Sequence, residues 1–377
     1  MGPSAGHATP RAQGGRQPDK LAASPQCLPA GMRSNALLRP LVLLSAAALA
    51  ACGSAPPAAP SAAPAQAAAA PSPAPIKVGI ALGGGAAKGF AHIGVIKMLE
   101  ANGLAPAVVA GTSAGSVVGA LYASGMNAFE LQEKAVALDE AKIRDLQLSS
   151  GGLVLGQKLE DYVNAQVRNR PIEQLAKPFA AVATRLEDGE RTVFTRGNTG
   201  QAVRASSSIP GVFQPVAAGK YHFVDGGVVS PVPVDAARQL GADIVVAVDI
   251  SNKARGQAPA DMLGTLGQSI AIMGQKLGQA ELARADVVVR PQVLDIGAAD
   301  FTQRAGAILE GEKAALAAMP QIRERVAQLQ AARAEATRLA QQKAAEAQHQ
   351  ACLEQRSRLQ KLAGLAGLDG SCPAAAP

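Results

Sequence analysis

The 377-residue chain contains no tryptophan, three tyrosines and seven phenylalanines, so aromatic residues make up only 3% of it. This shortage excludes a core built around large rings. Hydrophobic residues still make up 48% of the chain, and the interior must therefore come from Ala, Val, Leu and Ile. A chain of this length is long enough for one large α/β domain or two small ones.

An apolar run at residues 40–50 is shorter than the roughly 20 residues that a bilayer-spanning helix needs. It follows a basic segment, residues 32–39, and leads into small residues, a combination typical of a secretory signal peptide. Its end, Leu49-Ala-Ala-Cys52, resembles a bacterial lipobox. We therefore predict a lipoprotein signal peptide at 32–51 with lipidation of Cys52. An ordinary signal cleaved beside an ordinary cysteine is the alternative.

The segments around this signal are interpreted from their position and composition. Residues 1–31 lie upstream of it, and we expect a non-native extension with Met32 as the initiator; an unusual native extension is the alternative. Residues 52–75 are mostly Ala, Pro and Ser, which predicts a disordered tether. We expect a membrane-anchored lipoprotein on the periplasmic side of the bacterial cell envelope, and Gly53 after the cysteine favours the outer membrane.

The positive charge of the chain is partly a property of the targeting segment. The net charge is +7, but residues 1–51 hold five of the 36 bases and one of the 29 acids. The remainder carries 31 bases and 28 acids, a net of +3. No nucleic-acid-binding function is indicated.

Cysteine is also scarce, with four in the whole chain. Their spacing fits no metal site. Cys27 lies upstream of the signal and Cys52 is the predicted lipidation site, which leaves Cys352 and Cys372, and an oxidising compartment would allow these two to pair. A disulfide and two free thiols are both open alternatives.

From residue 76 onward, strand-like runs alternate with helix-like segments. Such an alternation of Val, Ile and Ala-rich strands with helices is typical of a mainly parallel central sheet with helices on both faces. We predict one α/β domain over 76–318, with a local hairpin at Asp188-Gly189. The predicted strands are 77–82, 107–110, 179–184, 222–224, 243–248 and 286–290, and the predicted helices are 89–102, 114–124, 235–240 and 261–285.

The composition changes after Pro320 to Ala, Gln, Arg, Lys and Glu. This predicts a long helix over 321–363, on the order of 60 Å at about 1.5 Å per residue, within a helical tail over 319–377. Heptad spacing is kept too briefly to indicate a coiled coil. Residues 321–361 carry eight bases and four acids, which fits a solvated helix or one that touches an anionic membrane.

A glycine-rich loop, Gly83-Gly84-Gly85-Ala-Ala-Lys88-Gly89, follows the first predicted strand directly. The order of its residues matches neither a Walker A loop nor a dinucleotide fingerprint. Glycines at the start of a helix can instead direct backbone N–H groups at a developing negative charge. We therefore predict an oxyanion hole at Gly83, Gly84 and Gly85.

Ser113, in Gly111-Thr-Ser113-Ala114-Gly115, is the candidate nucleophile. The spacing G-x-S-x-G alone is weak evidence in a chain with 39 glycines. Here it lies between a predicted strand and a helix of small residues, which is the setting of a nucleophile elbow. Adjacent parallel strands would place this turn and the glycine loop at the same sheet edge. The N–H of Ala114 would then complete the oxyanion hole.

The candidate base is an aspartate. Of the histidines after residue 51, His349 lies in the polar tail and His92 enters a helix, where we expect it to pack or cap. His222 shares a strand with Asp225 but points to the opposite face, so a His–Asp relay is not favoured. Asp225, at the end of that strand and before two glycines, can reach Ser113 directly.

Together, four blocks resemble the bacterial patatin-like phospholipase family: 83–95, 111–115, 206–215 and 225–227, in the family's order. The resemblance implies a three-layer α/β/α fold, a Ser113–Asp225 dyad, and neither metal nor cofactor. It also implies supporting roles for Lys88, Gly89, Gly111, Gly115, Gly226 and Gly227. Lys88 stands where the family usually carries arginine, so the charge is kept without the planar fork.

The function implied by the resemblance is hydrolysis of acyl esters of phospholipids or lysophospholipids by a lipid hydrolase. The partners are then a lipid substrate and, through Cys52, a membrane. Two alternatives stay open. One is a thioesterase or carboxylesterase with the same dyad, and the other is a non-catalytic envelope module that binds lipid or protein.

Overall fold

The computed structural model describes residues 74–138, 154–251, 262–363 and 371–373. These residues belong to one compact unit, Ala69–Pro377. The predicted extension at 1–31, the signal peptide at 32–51 and Cys52 lie outside the described residues, as does nearly all of the predicted tether. Among the helices in the described part of the chain, none combines the length and apolar character needed to cross a membrane.

The described residues form one eight-stranded sheet. Its order is β5-β6-β3-β2-β1-β7-β8, with β4 paired to β3. Neighbours from β3 through β8 are parallel, whereas β4, β5 and β6 pair in antiparallel fashion. The strands are β1 (Val78–Leu82), β2 (Val108–Thr112), β3 (Phe179–Arg185), β4 (Arg191–Phe194), β5 (Val216–Ala218), β6 (Tyr221–Asp225), β7 (Ile244–Val248) and β8 (Val287–Val289). The mainly parallel sheet and the β3–β4 hairpin are confirmed.

Helices cover the sheet, and five of them correspond to predicted segments. They are α1 (Ala91–Ala101), α2 (Ala114–Ala123), α3 (Ala128–Val136), α4 (Gln157–Gln166), α5 (Thr199–Ser206), α6 (Val234–Gln239), α7 (Met262–Leu282) and α8 (Arg304–Ala363). The prediction missed α3, α4 and α5. A signal for α3 was present, because the Asn127 side chain accepts from the N–H groups of Phe129 and Glu130 in a capping box.

The two faces of the sheet differ in side-chain size because successive residues of a strand point to opposite sides. One face carries large residues and is covered by α1, α2 and the start of α8; it includes Ile80, Leu82, Val109, Phe179 and Val246. The other face carries mostly small residues and is covered by α6; it includes Ala81, Ala110, Ala180 and Ala247. The result is the predicted three-layer α/β/α arrangement.

The long helix α8 begins at Arg304, earlier than predicted, and Pro320 lies inside it. The predicted boundary between 318 and 319 therefore falls within a continuous helix. The reason is core packing: Ile308 and Ile322, on either side of Pro320, are both buried. A Cβ at Gly311 would collide with the backbone of Ala91, which shows how closely α8 crosses α1.

The long helix predicted for 321–363 is confirmed, and its later part is mostly exposed. At about 1.5 Å per residue, the 60 residues of α8 extend over about 90 Å. Arg333 of this part forms an ion pair with Asp243, next to β7. Cys352 is joined to Cys372 by a disulfide, so pairing, rather than two free thiols, is found.

Candidate active site

Ser113 occupies a sharp turn between β2 and α2. Its backbone has φ 54° and ψ −124°, a region that residues with a side chain rarely adopt and that costs energy to maintain. Neighbouring glycines permit the turn: a Cβ at Gly111 would collide with the backbone of Gly115, and one at Gly115 would collide with the Leu82 carbonyl. The strand–turn–helix geometry of a nucleophile elbow is therefore present.

The glycine loop lies directly beside this turn. β1 and β2 are parallel neighbours in which Leu82 pairs with Gly111, so both turns leave the same edge of the sheet. A Cβ built on Gly84 would lie 3.3 Å from the Ser113 Cβ, and one built on Gly89 would lie 2.7 Å from the Ala114 Cβ. The loop and the candidate nucleophile thus come together as predicted.

The backbone hydrogen bonds of the loop bear on which of the predicted oxyanion donors are available. The Gly83 N–H donates to the Val248 carbonyl at 3.0 Å, and the Gly84 N–H donates to the Pro231 carbonyl at 3.0 Å. Buried backbone groups need such partners, and these two bonds hold the loop in place. The Gly85 and Ala114 N–H groups donate to no residue that the structure describes. The candidate donor set therefore narrows to Gly85 and Ala114.

Lys88 supports the same loop from inside the protein. It lies in a short 3₁₀ turn, Ala86–Phe90, where its side chain is buried. Its N–H donates to the Gly85 carbonyl at 3.2 Å, which helps to orient the Gly85 peptide. Lys88 and Gly89, which were predicted to support the site, thus lie between the glycine loop and α1.

None of the three histidines that the structure describes takes the place of a base beside Ser113. His92 is buried and its Nε2 lies 2.8 Å from the Gly83 carbonyl. Burial lowers the pKa of His92 to about 4, so the neutral ring donates from Nε2 and packs as expected. His222 is exposed beside Glu187, and the His349 ring contacts the Pro373 carbonyl.

Asp225 reaches the elbow by a route that the sequence did not reveal. β6 runs antiparallel to β3, so its carboxyl end points away from the edge where β1 and β2 end. However, β3 continues past β2: Val182 pairs with Thr112, and the next residue, Ala183, pairs with Asp225. A Cβ at Gly226 would collide with the Val182 carbonyl. Gly226 thus lets the chain approach the elbow closely.

The environment of the Asp225 carboxyl group favours proton transfer. Burial raises its pKa from 3.8 to about 6, against the lowering effects of the Ser113 hydroxyl and the Gly227 N–H. The Gly227 N–H donates to Oδ1 at 2.7 Å. Oδ2 has no hydrogen-bond partner among the described residues, although the Ser113 hydroxyl is near enough to lower the pKa of the carboxyl group. Such contacts commonly tighten when substrate binds.

Ser206 fixes the elbow from behind, a role that sequence reasoning missed. It ends α5, and its Oγ accepts from the Ser113 N–H at 2.9 Å and donates to the Val182 carbonyl at 2.5 Å. The sequence places Ser206 in the block 206–215 but does not distinguish it from the neighbouring serines. The Ser113 N–H is therefore unavailable as an oxyanion donor.

We predict that Ser206→Ala lowers kcat by roughly 10- to 100-fold with little change in KM, because small misplacements of reacting groups have effects of this size. It leaves the buried Ser113 N–H and Val182 carbonyl unpaired, which should also lower the free energy of unfolding by about 1–3 kcal/mol. Steady-state kinetics and urea unfolding measure the two effects.

The matched control is Ser208→Ala, in the same block, whose hydroxyl donates to the Arg204 carbonyl. This variant should keep its kcat within about twofold of the wild type, because the lost bond runs only to the Arg204 carbonyl and contacts neither Ser113 nor Val182. Equal kcat values in the Ser206 and Ser208 variants would show that the Ser206 hydroxyl does not position Ser113 for the reaction.

A buried carboxylic acid on α7 holds another wall of the site. Glu281 bonds to the Ser230 hydroxyl and accepts from the Val232 N–H at 2.8 Å. Burial raises its pKa to about 7. The Ser230 carbonyl in turn accepts from the Thr112 hydroxyl at 2.8 Å. The segment after β6 is thus tied to both α7 and the residue preceding Ser113.

A cavity of about 450 Å³ opens over Ser113 and Asp225. Its other walls are the glycine loop, the loop 209–212, residues from the segment 227–231 and the pocket side of α7. Apart from Asp225, the described lining residues carry no charge. The cavity is therefore suited to an apolar chain whose one reactive group meets Ser113.

The comparison with known families agrees with this arrangement. Residues 80–238 match the family model described as patatin-like phospholipase. The chain contains a patatin-like phospholipase domain. The segment includes the glycine loop, Ser113, Ser206 and Asp225, so the resemblance noted in the sequence is confirmed at the level of the family.

Several curated proteins are similar in sequence to the part of the chain that contains this patatin-like phospholipase domain. An uncharacterized NTE family protein of Mycobacterium tuberculosis is 36% identical over 184 residues, which are 48% of this chain and 51% of the relative. Patatin-like phospholipase domain-containing protein 6 of Homo sapiens is 31% identical over 184 residues, 47% of this chain and 13% of the relative. The aligned part thus spans about half the length of the mycobacterial relative.

The solved structures that align with part of this chain are less similar in sequence. VipD from Legionella pneumophila is 15% identical, with a TM-score of 0.46 over 64% of this chain and 66% of that chain. The type III effector protein ExoU is 16% identical, with a TM-score of 0.38 over 76% of this chain and 66% of that chain.

Proposed function

We propose that this protein is a serine-dependent lipid acyl hydrolase that cleaves acyl esters of phospholipids or lysophospholipids. The observation that carries the proposal is that Ser113 and the buried Asp225 carboxyl group lie together at the base of one apolar cavity. The patatin-like phospholipase domain supports a lipid substrate.

The first half of the reaction forms an acyl-enzyme. Ser113 Oγ attacks the carbonyl carbon of the ester while its proton passes to the Asp225 carboxylate. The Gly85 and Ala114 N–H groups then bind the oxyanion, with support from the positive N-terminus of α2. When the tetrahedral intermediate collapses, the C–O bond of the ester breaks. The leaving alkoxide takes the proton from Asp225 and departs as the alcohol.

The second half releases the fatty acid. Water attacks the acyl carbon and gives one proton to Asp225, a second tetrahedral oxyanion forms, and its collapse returns the proton to Ser113 Oγ. A pKa of about 6 suits this exchange, because the carboxylate is ionised at neutral pH yet more basic than an ordinary aspartate.

The lining of the cavity also favours a second candidate, a carboxylesterase with the same dyad. No lysine or arginine is among the described residues that line it, so the cavity itself offers no cation to a phosphate head group. An uncharged acyl ester would bind beside the same residues, and it would lose no ion pair by lacking a phosphate.

Covalent labelling and substrate comparison test the proposal on the purified protein. A fluorophosphonate should label Ser113, as located by peptide mass spectrometry, and p-nitrophenyl butyrate should be hydrolysed. Release of fatty acid from phosphatidylethanolamine, lysophosphatidylethanolamine and monoacylglycerol then separates the two candidates. If the protein is not labelled and hydrolyses no ester, the catalytic function is contradicted and the non-catalytic module is favoured.

We further propose that the domain works at a membrane of the bacterial envelope, held by a lipidated Cys52 and the tether at 52–75. The support is the signal-like segment at 32–51 with its lipobox-like end. Incorporation of an alkyne-labelled fatty acid by the wild type but not by Cys52→Ser tests this proposal, and equal incorporation would contradict it.

A further inference from the structure

Helix α7 lies against the active-site wall through a face of small residues. A Cβ at Gly274 would lie 3.7 Å from the Gly227 carbonyl oxygen, and one at Gly278 would lie 3.4 Å from the Pro231 side chain. Glu281 bonds to the Ser230 hydroxyl near the C-terminal end of the helix. The inner face of α7 therefore packs against the segment that forms the wall of the candidate active site.

The outer face of α7 exposes large apolar side chains. Met262 is 84% exposed, Met273 is 51% exposed and Leu277 is 39% exposed. At 3.6 residues per turn, these three fall within about 60° of one another around the helix axis. Between Met262 and Ala280 the sequence contains one charged residue, Lys276. Helices on a protein surface normally place charged and polar residues on the outer side.

This apolar face is continuous with the opening of the cavity. Ile270, near the exposed stripe on α7, lines the cavity. Another wall is the loop Ile209-Pro210-Gly211-Val212, whose last residue is 48% exposed while also lining the cavity. An apolar rim thus surrounds the only charged lining residue among those described, Asp225.

We propose that α7 and the loop 209–212 together form a docking surface for a lipid bilayer. Met262, Met273 and Leu277 would enter the boundary between head groups and acyl chains, as apolar faces of interfacial helices do. Acyl chains would then pass from the bilayer into the cavity without crossing water. This inference rests on the proposed function, because the entry of a lipid substrate is what selects a bilayer as the occupant of the face.

The near absence of charge separates this surface from an ordinary solvated helix. Lys276 is the one charged side chain between Met262 and Ala280, and its positive sign suits lipid phosphates at a membrane surface. A second copy of the chain and a protein partner are the competing occupants, and the experiment below distinguishes them.

The test uses the full chain with Cys52→Ser, so that a lipid anchor does not dominate binding. Flotation with vesicles of equal parts phosphatidylethanolamine and phosphatidylglycerol compares this protein with a Met273→Glu/Leu277→Glu variant. We expect vesicle affinity to fall by roughly tenfold or more, because two acidic groups would have to enter the membrane interface. Fatty acid release from the same vesicles should fall by a similar factor.

The matched control is Leu339→Glu/Leu353→Glu on α8, where the two side chains are 45% and 41% exposed. Its vesicle affinity should stay within about twofold of the parent protein. Hydrolysis of dissolved p-nitrophenyl butyrate should be unchanged in both variants, since Met273 and Leu277 do not line the cavity. Thermal unfolding checks that the variants fold; a milder Met273→Ser/Leu277→Ser variant is used if the glutamate variant does not.

Two outcomes would overturn the docking surface. One is equal flotation of the parent and the α7 variant, including no flotation of either. The other is a dimer, seen by analytical ultracentrifugation, that the α7 variant converts to a monomer, which would assign the face to a second copy. Vesicle binding without hydrolysis of any ester would instead contradict the proposed function while leaving the docking surface supported.

Discussion

Ser113→Ala should lower kcat/KM for p-nitrophenyl butyrate by about 10⁴-fold or more while leaving the fold intact. The variant loses the atom that attacks the ester, and the Gly85 and Ala114 N–H groups cannot form an acyl-enzyme by themselves. The fold should survive because alanine retains the Cβ that the turn at φ 54° already accommodates. Initial-rate kinetics and fluorophosphonate labelling measure the loss.

Ser124→Ala is the matched control for this prediction. Ser124 lies at the other end of α2, where its hydroxyl donates to the Leu121 carbonyl at 2.7 Å. It should keep wild-type labelling and a rate within about twofold of the wild type. A Ser113→Ala protein that retains more than about a hundredth of the wild-type rate would place the nucleophile elsewhere.

Asp225→Asn should also lower kcat/KM by about 10⁴-fold. Asparagine has nearly the same shape and can still accept from the Gly227 N–H, but its amide cannot take the Ser113 proton. Asp161→Asn, an exposed change on α4, is the control for loss of a negative charge and should keep full activity. An active Asp225→Asn enzyme would show that another group serves as the base.

The same substitution should raise the stability of the protein above pH 6. In the folded wild type the pKa of Asp225 is about 6, compared with 3.8 for an ordinary aspartate. As pH rises from 4 to 6, the unfolded chain releases this proton first, and the free energy of unfolding of the wild type falls. The difference of about two pKa units corresponds to about 3 kcal/mol.

We therefore expect Asp225→Asn to exceed the wild type by up to about 3 kcal/mol at pH 8 and to match it below pH 4. Urea unfolding at several pH values measures this difference, and Glu281, which also titrates abnormally, is common to both proteins. The wild-type kcat/KM should rise with pH through about 6, as the Asp225 carboxylate forms. A stability difference that is independent of pH would contradict the raised pKa.

The parts of the site that could be predicted are those encoded by neighbouring residues. The elbow at Ser113 needs small residues within two positions on either side, and the glycine loop needs a strand before it and a helix after it. Both appear as short patterns in the sequence, and parallel pairing of β1 and β2 then brings them to one edge. The hairpin at Asp188-Gly189 was predictable for the same reason.

The hydrogen-bond partners of the loop could not be predicted in this way. Gly83 and Gly84 resemble free donors in the sequence, but Val248 and Pro231, far along the chain, accept from their N–H groups. In the sequence, Ser206 is likewise indistinguishable from the two serines that follow it. Only the packing of α5 against the elbow makes its hydroxyl the acceptor for the Ser113 N–H.

The amino-acid sequence by itself determined the alternating strands and helices, the strained turn at Ser113, and the aspartate between a strand and two glycines, because each depends on local backbone and side-chain chemistry. Tertiary structure alone decided which backbone N–H groups of the glycine loop have no acceptor among the described residues. It also decided that β3 extends past β2, so that the antiparallel strand β6 can place Asp225 near Ser113, and that α8 starts before Pro320. Those features depend on which distant segments pair and pack, and neither hydrogen-bond partners nor burial are encoded within a short window of residues.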